Sequence, residues 1–220
     1  MVPEQEVEEK TQREWLLQCP ETYLGAVELS TSSIPVFESG AWRQVTLSPA
    51  LVQLFSELFV NALDNGFRDD SQTYIHIEFK EGVLIVSNDG SVPPMTQLPG
   101  TTRYKIAGCF GGFQCGSNFD NSKKRYTGGR NGIGAAAANT FSNRMRVSVT
   151  NGSTNARYDQ VWEQNMLIEH PPKITTLKRK HNAGVAKNAI QVEWYPDYDR
   201  FPNRGGDEDD LSSRRDCLKA

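Results

Sequence analysis

The sequence predicts an α+β fold, with helices and strands in separate stretches of the chain. A long amphipathic helix pattern covers about residues 50–67. Two alternating segments at 73–80 and 83–88 flank Glu81-Gly82, which is a strong signal for an antiparallel hairpin. Strand patterns then recur at 144–150, 157–163, 173–177 and 190–195, with no long helix between them. This segregation is the α+β pattern.

Composition bounds the class of protein. The chain has 220 residues, 37% of them apolar, which is enough for one soluble globular domain with a substantial core. Its net charge of −3 argues against a general binder of phosphate backbones. The four cysteines and three histidines are dispersed without zinc-site spacing, so reduced thiols inside a cell are expected. The acidic amino terminus and the lack of a run of about 20 apolar residues predict neither a signal peptide nor a membrane span.

The first part of the chain predicts two helices and a strand. Residues 3–19 mix charged side chains with Trp15, Leu16 and Leu17 as an amphipathic helix does, and residues 41–47 have a strand pattern. Ser48 supplies an N-cap and Pro49 a first-turn proline for the long helix. The apolar face of that helix comprises Leu54, Phe55, Leu58, Phe59 and Ala62.

The later part of the chain predicts a lid, a short helix and a tail. Residues 90–134 are rich in Gly, Pro, Ser, Asn and Thr and exceed an ordinary connection, which favours a functional lid. Residues 135–141 are strong helix formers and predict a short helix. The tail at 196–220 carries an acidic run at 207–210, which indicates either a solvated segment or the start of further structure.

The long helix carries the first candidate site residues. Glu57, Asn61, Asp64 and Asn65 are spaced so that they form one polar stripe away from the apolar face. A glutamate can orient or deprotonate a water, and an asparagine oxygen can ligate a hydrated Mg²⁺ ion bound to phosphates. Taken alone, the stripe is more typical of a solvated helix face.

Two downstream segments favour a nucleotide ligand. Asp89 follows the second hairpin strand, where its carboxylate can accept a hydrogen bond from an exocyclic amine such as that of adenine; the alternative is a plain Asp-Gly turn. Residues 127–135 place four glycines directly before a helix, so that backbone amides can approach phosphate oxygens. The segment lacks the Gly-Lys-Ser/Thr of a P-loop. The nucleotide prediction therefore depends on the combination and order of the motifs.

In order and spacing, these motifs resemble a known family. Residues 56–65, Asn88-Asp89-Gly90 and residues 127–135 are similar to the three ATP-site motifs of the gyrase, heat-shock chaperone, histidine kinase and mismatch-repair ATPase superfamily. The third motif, together with Cys115-Gly116-Ser117-Asn118-Phe119-Asp120, resembles type II DNA topoisomerases of the eukaryotic, viral and large-phage kind. The flanks Pro20-Glu21-Thr22-Tyr23-Leu24-Gly25 and Trp194-Tyr195-Pro196-Asp197 agree with that family, so the resemblance covers about residues 12–200.

The resemblance implies a fold, a ligand and a role for each site residue. The fold would be a Bergerat-type two-layer sandwich with a mixed, mostly antiparallel sheet packed on helices and a long ATP lid. Residues 1–25 would be an amino-terminal strap, 26–200 the ATP-binding domain, and 201–220 a tail that begins a transducer domain. Glu57 would be the general base and Asn61 the Mg²⁺ ligand. The other ATP-binding residues would be Asn65, Asp89, Ser117, Asn118, Arg130, Asn131, Gly132, Ile133, Gly134 and Ala135.

Three departures from the family pattern bear on this expectation. Val92 stands where the family usually has a second glycine after Asp-Gly, so that part of the adenine pocket is expected to be reshaped. Ala189 stands where the family often has a threonine near the adenine-binding residue. The family's phosphate-binding lysine comes from a following transducer domain, for which the chain has no room, so slow turnover is expected from the chain alone.

The functional expectation is a nucleotide-driven clamp. ATP would draw two copies into a homodimer and couple its hydrolysis to the passage of duplex DNA in an intracellular compartment. The alternative is a stand-alone ATP-switched accessory module without topoisomerase chemistry of its own. A sensor histidine kinase needs a phosphoacceptor histidine on a helix, whereas His76 falls in a predicted strand. The basic segment at 178–181 could contact DNA, although such a loop is more often solvated.

Overall fold

The molecule is organised around one antiparallel sheet with helices on one face. The computed structural model describes residues 9–31, 36–38, 40–44, 46–115, 132–177 and 187–201. The principal strands are β5 (Ile75–Lys80), β6 (Val83–Asn88), β7 (Ser142–Asn151), β8 (Ala156–Glu163), β10 (Lys173–Thr176) and β11 (Ala189–Pro196). Their order across the sheet is β10-β8-β7-β11-β6-β5, and the short β9 (Ile168–Glu169) pairs with β8.

Alternation along the strands decides which residues face the helices. Leu84 and Val86 of β6 are buried and lie opposite Trp194 and Val192 of β11. Because directly opposed residues of an antiparallel pair point to the same side, these four side chains share one face. The opposite face carries charged side chains, among them Arg146, Asp159 and Glu193. The core therefore lies between the sheet and the helices, on one side of the sheet only.

The long helix α2 (Pro49–Arg68) has the start that the sequence predicts. The Ser48 side chain accepts a hydrogen bond from the Leu51 amide, and Pro49 occupies the first turn, where a missing N–H costs nothing. Leu54, Leu58 and Ala62 are buried in the core. The helix packs against β6, so one face of α2 is held to the sheet and the other is left for chemistry.

Two shorter helices complete the layer on the sheet. Helix α3 (Lys105–Gly111) lies inside the predicted lid and packs on α4 (Gly134–Thr140), which in turn packs on α2, β7 and β11. Trp194 donates a hydrogen bond from Nε1 to the carbonyl of Ala138 at 2.8 Å, which ties α4 to the sheet. The four successive alanines 135–138 are buried and let α4 approach its neighbours closely.

The amino-terminal elements are short. Helix α1 (Gln12–Gln18) begins at a capping box in which the side chains of Thr11 and Glu14 each accept from the other's backbone amide. Strands β1 (Ser30–Thr31) and β4 (Thr46–Leu47) form one antiparallel pair, and β2 (Val36–Glu38) and β3 (Ala41–Arg43) form another. Arg13 of α1 donates to the carbonyl of Asn165 at 2.5 Å, which links α1 to the turn after β8.

Most sequence-based elements are confirmed, with three corrections. The predicted helix over 3–19 begins only at Gln12 within the described chain, because the Thr11 cap sets its start. The predicted strand over 41–47 is split between β3 and β4, which pair with different partners. Helix α3 was not expected in the lid. The α+β architecture is confirmed. The sheet was expected to be mostly antiparallel, and every pairing between the described strands is antiparallel.

Some expectations fall outside the described residues. The tail at 202–220, the basic segment at 178–181 and residues 116–131 of the lid belong to this group. The division into strap, ATP-binding domain and tail stays a prediction. Among the described residues, no helix is long and apolar enough to cross a membrane.

Candidate nucleotide-binding site

The polar side of α2 is less uniform than its spacing predicts. Glu57 and Asn65 are half-buried and Asn61 is exposed. Asp64, expected on the same stripe, is only 3% exposed and lies 3.8 Å from the Arg68 guanidinium, one helical turn away. Glu57 and Asn61 therefore remain available to one pocket, Asn65 is hydrogen-bonded to Gln72, Ser91 and the Asp89 carbonyl, and Asp64 belongs to the buried part of the helix.

The side chain of Glu57 extends from α2 to the start of α4. Gln53, one turn earlier, donates from Nε2 to Glu57 Oε1 at 2.9 Å. A Cβ atom added at Gly134 would lie only 1.8 Å from Glu57 Oε2. Burial raises the pKa of Glu57, the Gln53 hydrogen bond opposes that rise, and the negative charge of Asp64 adds to it. A carboxyl with a raised pKa is suited to accept a proton near neutral pH.

Tyr23 brings the amino-terminal segment to the same carboxylate. Burial raises the pKa of Tyr23 to about 12, and the charge of Glu57 contributes to the rise. Tyr23 follows the short 3-10 turn Pro20–Thr22, whose Pro20 is buried. The segment that resembles the family's Pro-x-Thr-Tyr motif therefore lies beside the candidate general base.

Asp89 points toward the start of β5. Its Oδ1 accepts from the amides of Thr73 at 2.7 Å and Tyr74 at 3.1 Å, and its Oδ2 accepts from the Thr73 hydroxyl at 2.5 Å. Burial raises the pKa of Asp89, but these hydrogen bonds outweigh it and hold the pKa below its ordinary value. The hydroxyl beside this carboxylate is that of Thr73, and Ala189 has none.

The neighbouring residue Asn88 faces the helices and was missed in the sequence reasoning. Asn88 pairs with Ile190 on β11 and shares the alternation of Leu84 and Val86, so its side chain lies on the core face of the sheet. It is 4% exposed and donates from Nδ2 to the carbonyl of Asp89 at 2.9 Å and to Gln72 Oε1 at 3.1 Å. The alternation of Leu84, Val86 and Asn88 along β6 is the sequence signal that could have identified Asn88.

The glycine-rich segment meets the lid and α2 at the beginning of α4. Gly132 has φ +60° and accepts a hydrogen bond at its carbonyl from the Cys115 amide at 3.3 Å, so the middle of the predicted lid is joined to its end there. Gly132, Ile133 and Gly134 are half-buried, and Ala135 is buried. Glycine is required at Gly132, since a Cβ would lie 2.8 Å from the Cys115 carbonyl oxygen. Ser117, Asn118, Arg130 and Asn131 lie outside the described residues.

Val92, the other departure from the family pattern, is half-buried and packs against the hydrophobic core.

No group of three or more His, Cys, Asp or Glu side chains able to hold a metal ion occurs among the residues that the structure describes. A Mg²⁺ ion at this site would therefore need other ligands. The neutral side-chain oxygen of Asn61, phosphate oxygens of the nucleotide and water could supply them.

The fold and this arrangement correspond to a class of ATPases. Residues 46–167 match the family model described as histidine kinase-, DNA gyrase B-, and HSP90-like ATPase. That match covers more than half of the chain and includes α2, the hairpin, α3, α4 and β7 to β8. The chain belongs to this ATPase family.

Within the family, the chain is similar to the ATPase region of type II DNA topoisomerases. It is 34% identical over 211 residues to DNA topoisomerase 2 of Candida albicans and 33% identical over 217 residues to DNA topoisomerase 2-beta of Gallus gallus. Those alignments cover 93% and 96% of this chain but only 14% and 13% of the relatives. The crystal structure of the ATPase region of Saccharomyces cerevisiae topoisomerase II matches with a TM-score of 0.84 at 32% identity, over 97% of this chain and 56% of that one.

Proposed function

We propose that the chain binds Mg-ATP and hydrolyses it as the ATP-binding part of a type II DNA topoisomerase. Membership of an ATPase family implies ATP as the ligand. The similarity to DNA topoisomerase 2 along almost the whole chain supports the finer assignment. The chain spans about one seventh of the length of those relatives, so strand passage is proposed for the complete enzyme and not for this segment alone.

The observation that carries the proposal is the contact between Glu57 and the beginning of α4. A general base must lie within reach of a water next to the terminal phosphate, and the glycine-rich turn offers backbone amides to that phosphate. Glu57 Oε2 lies against Gly134, so the two functions share one small volume. Phosphoryl transfer asks mainly for such positioning of water and charge.

Each residue has a defined task in this mechanism. Glu57, with its raised pKa, accepts a proton from the attacking water, and Gln53 orients the carboxylate. Asn61 offers its exposed side-chain oxygen to Mg²⁺, which when bound neutralises charge on the phosphates. Arg130, Asn131 and the turn from Gly132 to Ala135 are proposed to contact the phosphates, and Ser117 and Asn118 the ribose or phosphates. Asn65, whose amide is hydrogen-bonded within the protein, is proposed to lie near the phosphates.

The adenine-binding role proposed for Asp89 is better supported for Asn88. Asp89 uses both carboxylate oxygens to hold Thr73 and Tyr74, which fastens β5 to the end of β6. Asn88 lies on the core face, next to the polar side of α2, and its Nδ2 is already committed to acceptors. Its amide oxygen is thereby left to accept from the 6-amino group of adenine.

Dimerisation, DNA and location complete the proposal. Two copies are proposed to associate when ATP binds, which would make the chain one half of a clamp on duplex DNA. The similarity to topoisomerases supports this. An enzyme acting on DNA would work in the intracellular compartment that holds it.

Calorimetric titration of a non-hydrolysable ATP analogue with Mg²⁺ tests binding, and sedimentation in the same buffer tests dimerisation. We expect the wild type to bind and dimerise. Asn88→Ala is expected to lose roughly tenfold in affinity, because one hydrogen bond to the base is lost and a polar group of the ligand is left unpaired. Glu57→Gln is expected to bind normally and to lose hydrolysis.

Two outcomes would contradict the proposal. Folded wild-type protein that binds no nucleotide would remove the ATP assignment. Glu57→Gln protein that releases phosphate at the wild-type rate would remove Glu57 as the base. Asp89→Ala serves as the comparison for Asn88→Ala, since it is expected to lower the thermal stability of the hairpin more than it alters selectivity for the base.

A further inference from the structure

We infer that Gln72 is a specificity-determining residue that fixes the amides of Asn65 and Asn88, and thereby selects adenine over guanine. The inference rests on the proposed nucleotide function. Gln72 lies in the connection between α2 and β5, outside the three motifs that resemble the ATPase family. Its side chain is half-buried beneath the loop that follows β6.

The orientation of the Gln72 amide follows from its partners. Gln72 Nε2 donates to the backbone carbonyl of Ala62 at 3.0 Å, and a carbonyl oxygen can only accept. Gln72 Oε1 must therefore face the other way, where it accepts from Asn65 Nδ2 at 2.8 Å and from Asn88 Nδ2 at 3.1 Å. One backbone carbonyl thus sets the orientation of three side-chain amides.

A second acceptor acts on the same two asparagines. The carbonyl of Asp89 accepts from Asn65 Nδ2 at 3.1 Å and from Asn88 Nδ2 at 2.9 Å. Each Nδ2 group therefore has two acceptors, and turning either amide over would place its oxygen against both of them. Asn65 Oδ1 is further held by the Ser91 hydroxyl at 2.9 Å.

The orientation of the Asn88 amide determines whether it can bind adenine or guanine. With its Nδ2 group held by Gln72 and Asp89, Asn88 presents Oδ1 as an acceptor on the core face. Adenine carries a 6-amino donor and guanine a 6-oxo acceptor, so a fixed Oδ1 favours adenine and repels guanine. Without Gln72, Asn88 can turn over at lower cost and offer Nδ2 to the 6-oxo group.

The packing around Gln72 leaves it little freedom to take another position. A Cβ added at Gly90, which has φ +91°, would lie 3.0 Å from Gln72 Cβ and 3.2 Å from Asn65 Nδ2. A Cβ added at Gly66 would lie 3.1 Å from Gln72 Nε2. Two glycines therefore make room for this side chain, one on α2 and one in the turn after Asp89.

The test compares the affinities of non-hydrolysable ATP and GTP analogues, each with Mg²⁺, in the wild type and in Gln72→Met and Gln72→Glu. Both substitutions remove the donor to Ala62, but only Gln72→Glu keeps an acceptor for the two asparagines. We expect the ATP-to-GTP affinity ratio to fall about 3- to 10-fold in Gln72→Met, the effect of one lost neutral hydrogen bond, and to fall less in Gln72→Glu.

Controls separate specificity from folding. Gln191→Met makes the same change at a half-buried glutamine on the outer face of β11, whose side chain donates to Glu193 Oε1 at 3.0 Å, and it should leave the ratio unchanged. Thermal unfolding identifies variants that do not fold, and Gln72→Ala replaces Gln72→Met if the latter fails. An unchanged ratio in a folded acceptor-less variant overturns the inference. A wild type that binds neither analogue overturns the proposed function itself.

Discussion

Replacement of Gly134 by alanine is the sharpest perturbation that the site offers. Gly134 does not have positive φ, so alanine is compatible with its backbone. The new methyl group, however, would lie 1.8 Å from Glu57 Oε2 and 2.6 Å from Glu57 Cδ. Ordinary contact begins at 3.4 Å, so the carboxylate must retreat by about 1.6 Å.

A displacement of that size is large for a general base. Misplacement of a catalytic group by about 1 Å can cost on the order of 100-fold in rate. We therefore expect Gly134→Ala to lower hydrolysis at least about 100-fold and to weaken nucleotide binding much less, and thermal unfolding checks that the variant is folded. The rate is measured as release of labelled phosphate in single turnovers with protein in excess, because slow turnover is expected.

The double variant Gly134→Ala, Glu57→Gln identifies the route of the effect. If the methyl group acts by moving Glu57, the double variant should hydrolyse ATP no more slowly than Glu57→Gln alone. A folded Gly134→Ala protein with a rate within about threefold of the wild type would refute the reasoning, since it would mean that Glu57 can move away at no cost to catalysis.

Two further predictions follow from the charges. Gln53→Leu removes the hydrogen bond that opposes the raised pKa of Glu57, so the acid limb of the pH–rate profile should move to higher pH, and an unmoved limb would show that Gln53 does not act on the base. On the outer face, hydrogen bonds from Arg157, Ser148 and Arg146 outweigh burial and lower the pKa of Asp159 from 3.8 to about 2. Its ionisation therefore stabilises the fold above pH 3.8, and this stabilisation is lost as the pH falls toward 2. The variant Asp159→Asn should lose on the order of 1 kcal/mol of unfolding free energy at pH 7, after allowance for solvent screening, and little at pH 2. Urea unfolding at both pH values checks this, and an equal loss at both would contradict it.

The elements whose signals are local could be predicted from the amino-acid sequence. The start of α2 depends on Ser48 and Pro49, and the β5–β6 hairpin on Glu81 and Gly82, which both have positive φ. Such signals act over a few residues, so no knowledge of distant contacts is needed to read them. The motif order that resembles the ATPase family is equally a property of the chain, and it led to the class of protein before any contact was known.

The contacts of two adjacent polar residues at the end of β6 were visible only in the folded molecule. Asn88 and Asp89 are both polar and both suited to bind an amine. The alternation of Leu84, Val86 and Asn88 along the chain indicates which of the two shares the apolar face, but it does not show what either side chain contacts. The pairing of Asn88 with Ile190 places it on the core face, and the amides of Thr73 and Tyr74 draw Asp89 away from it. Because successive side chains of a strand point to opposite faces, the register of the sheet makes the choice.

The tertiary structure also decided the contacts that join distant segments. Nothing near Gly134 in the chain indicates that its missing side chain makes room for Glu57, 77 residues earlier. Gln72 has no motif around it, yet it holds side chains from α2 and β6 together. Periodicity and propensity describe neighbours along the chain, whereas these contacts exist only because the sheet brings the end of β6 beside α2, and α4 packs against both the sheet and α2.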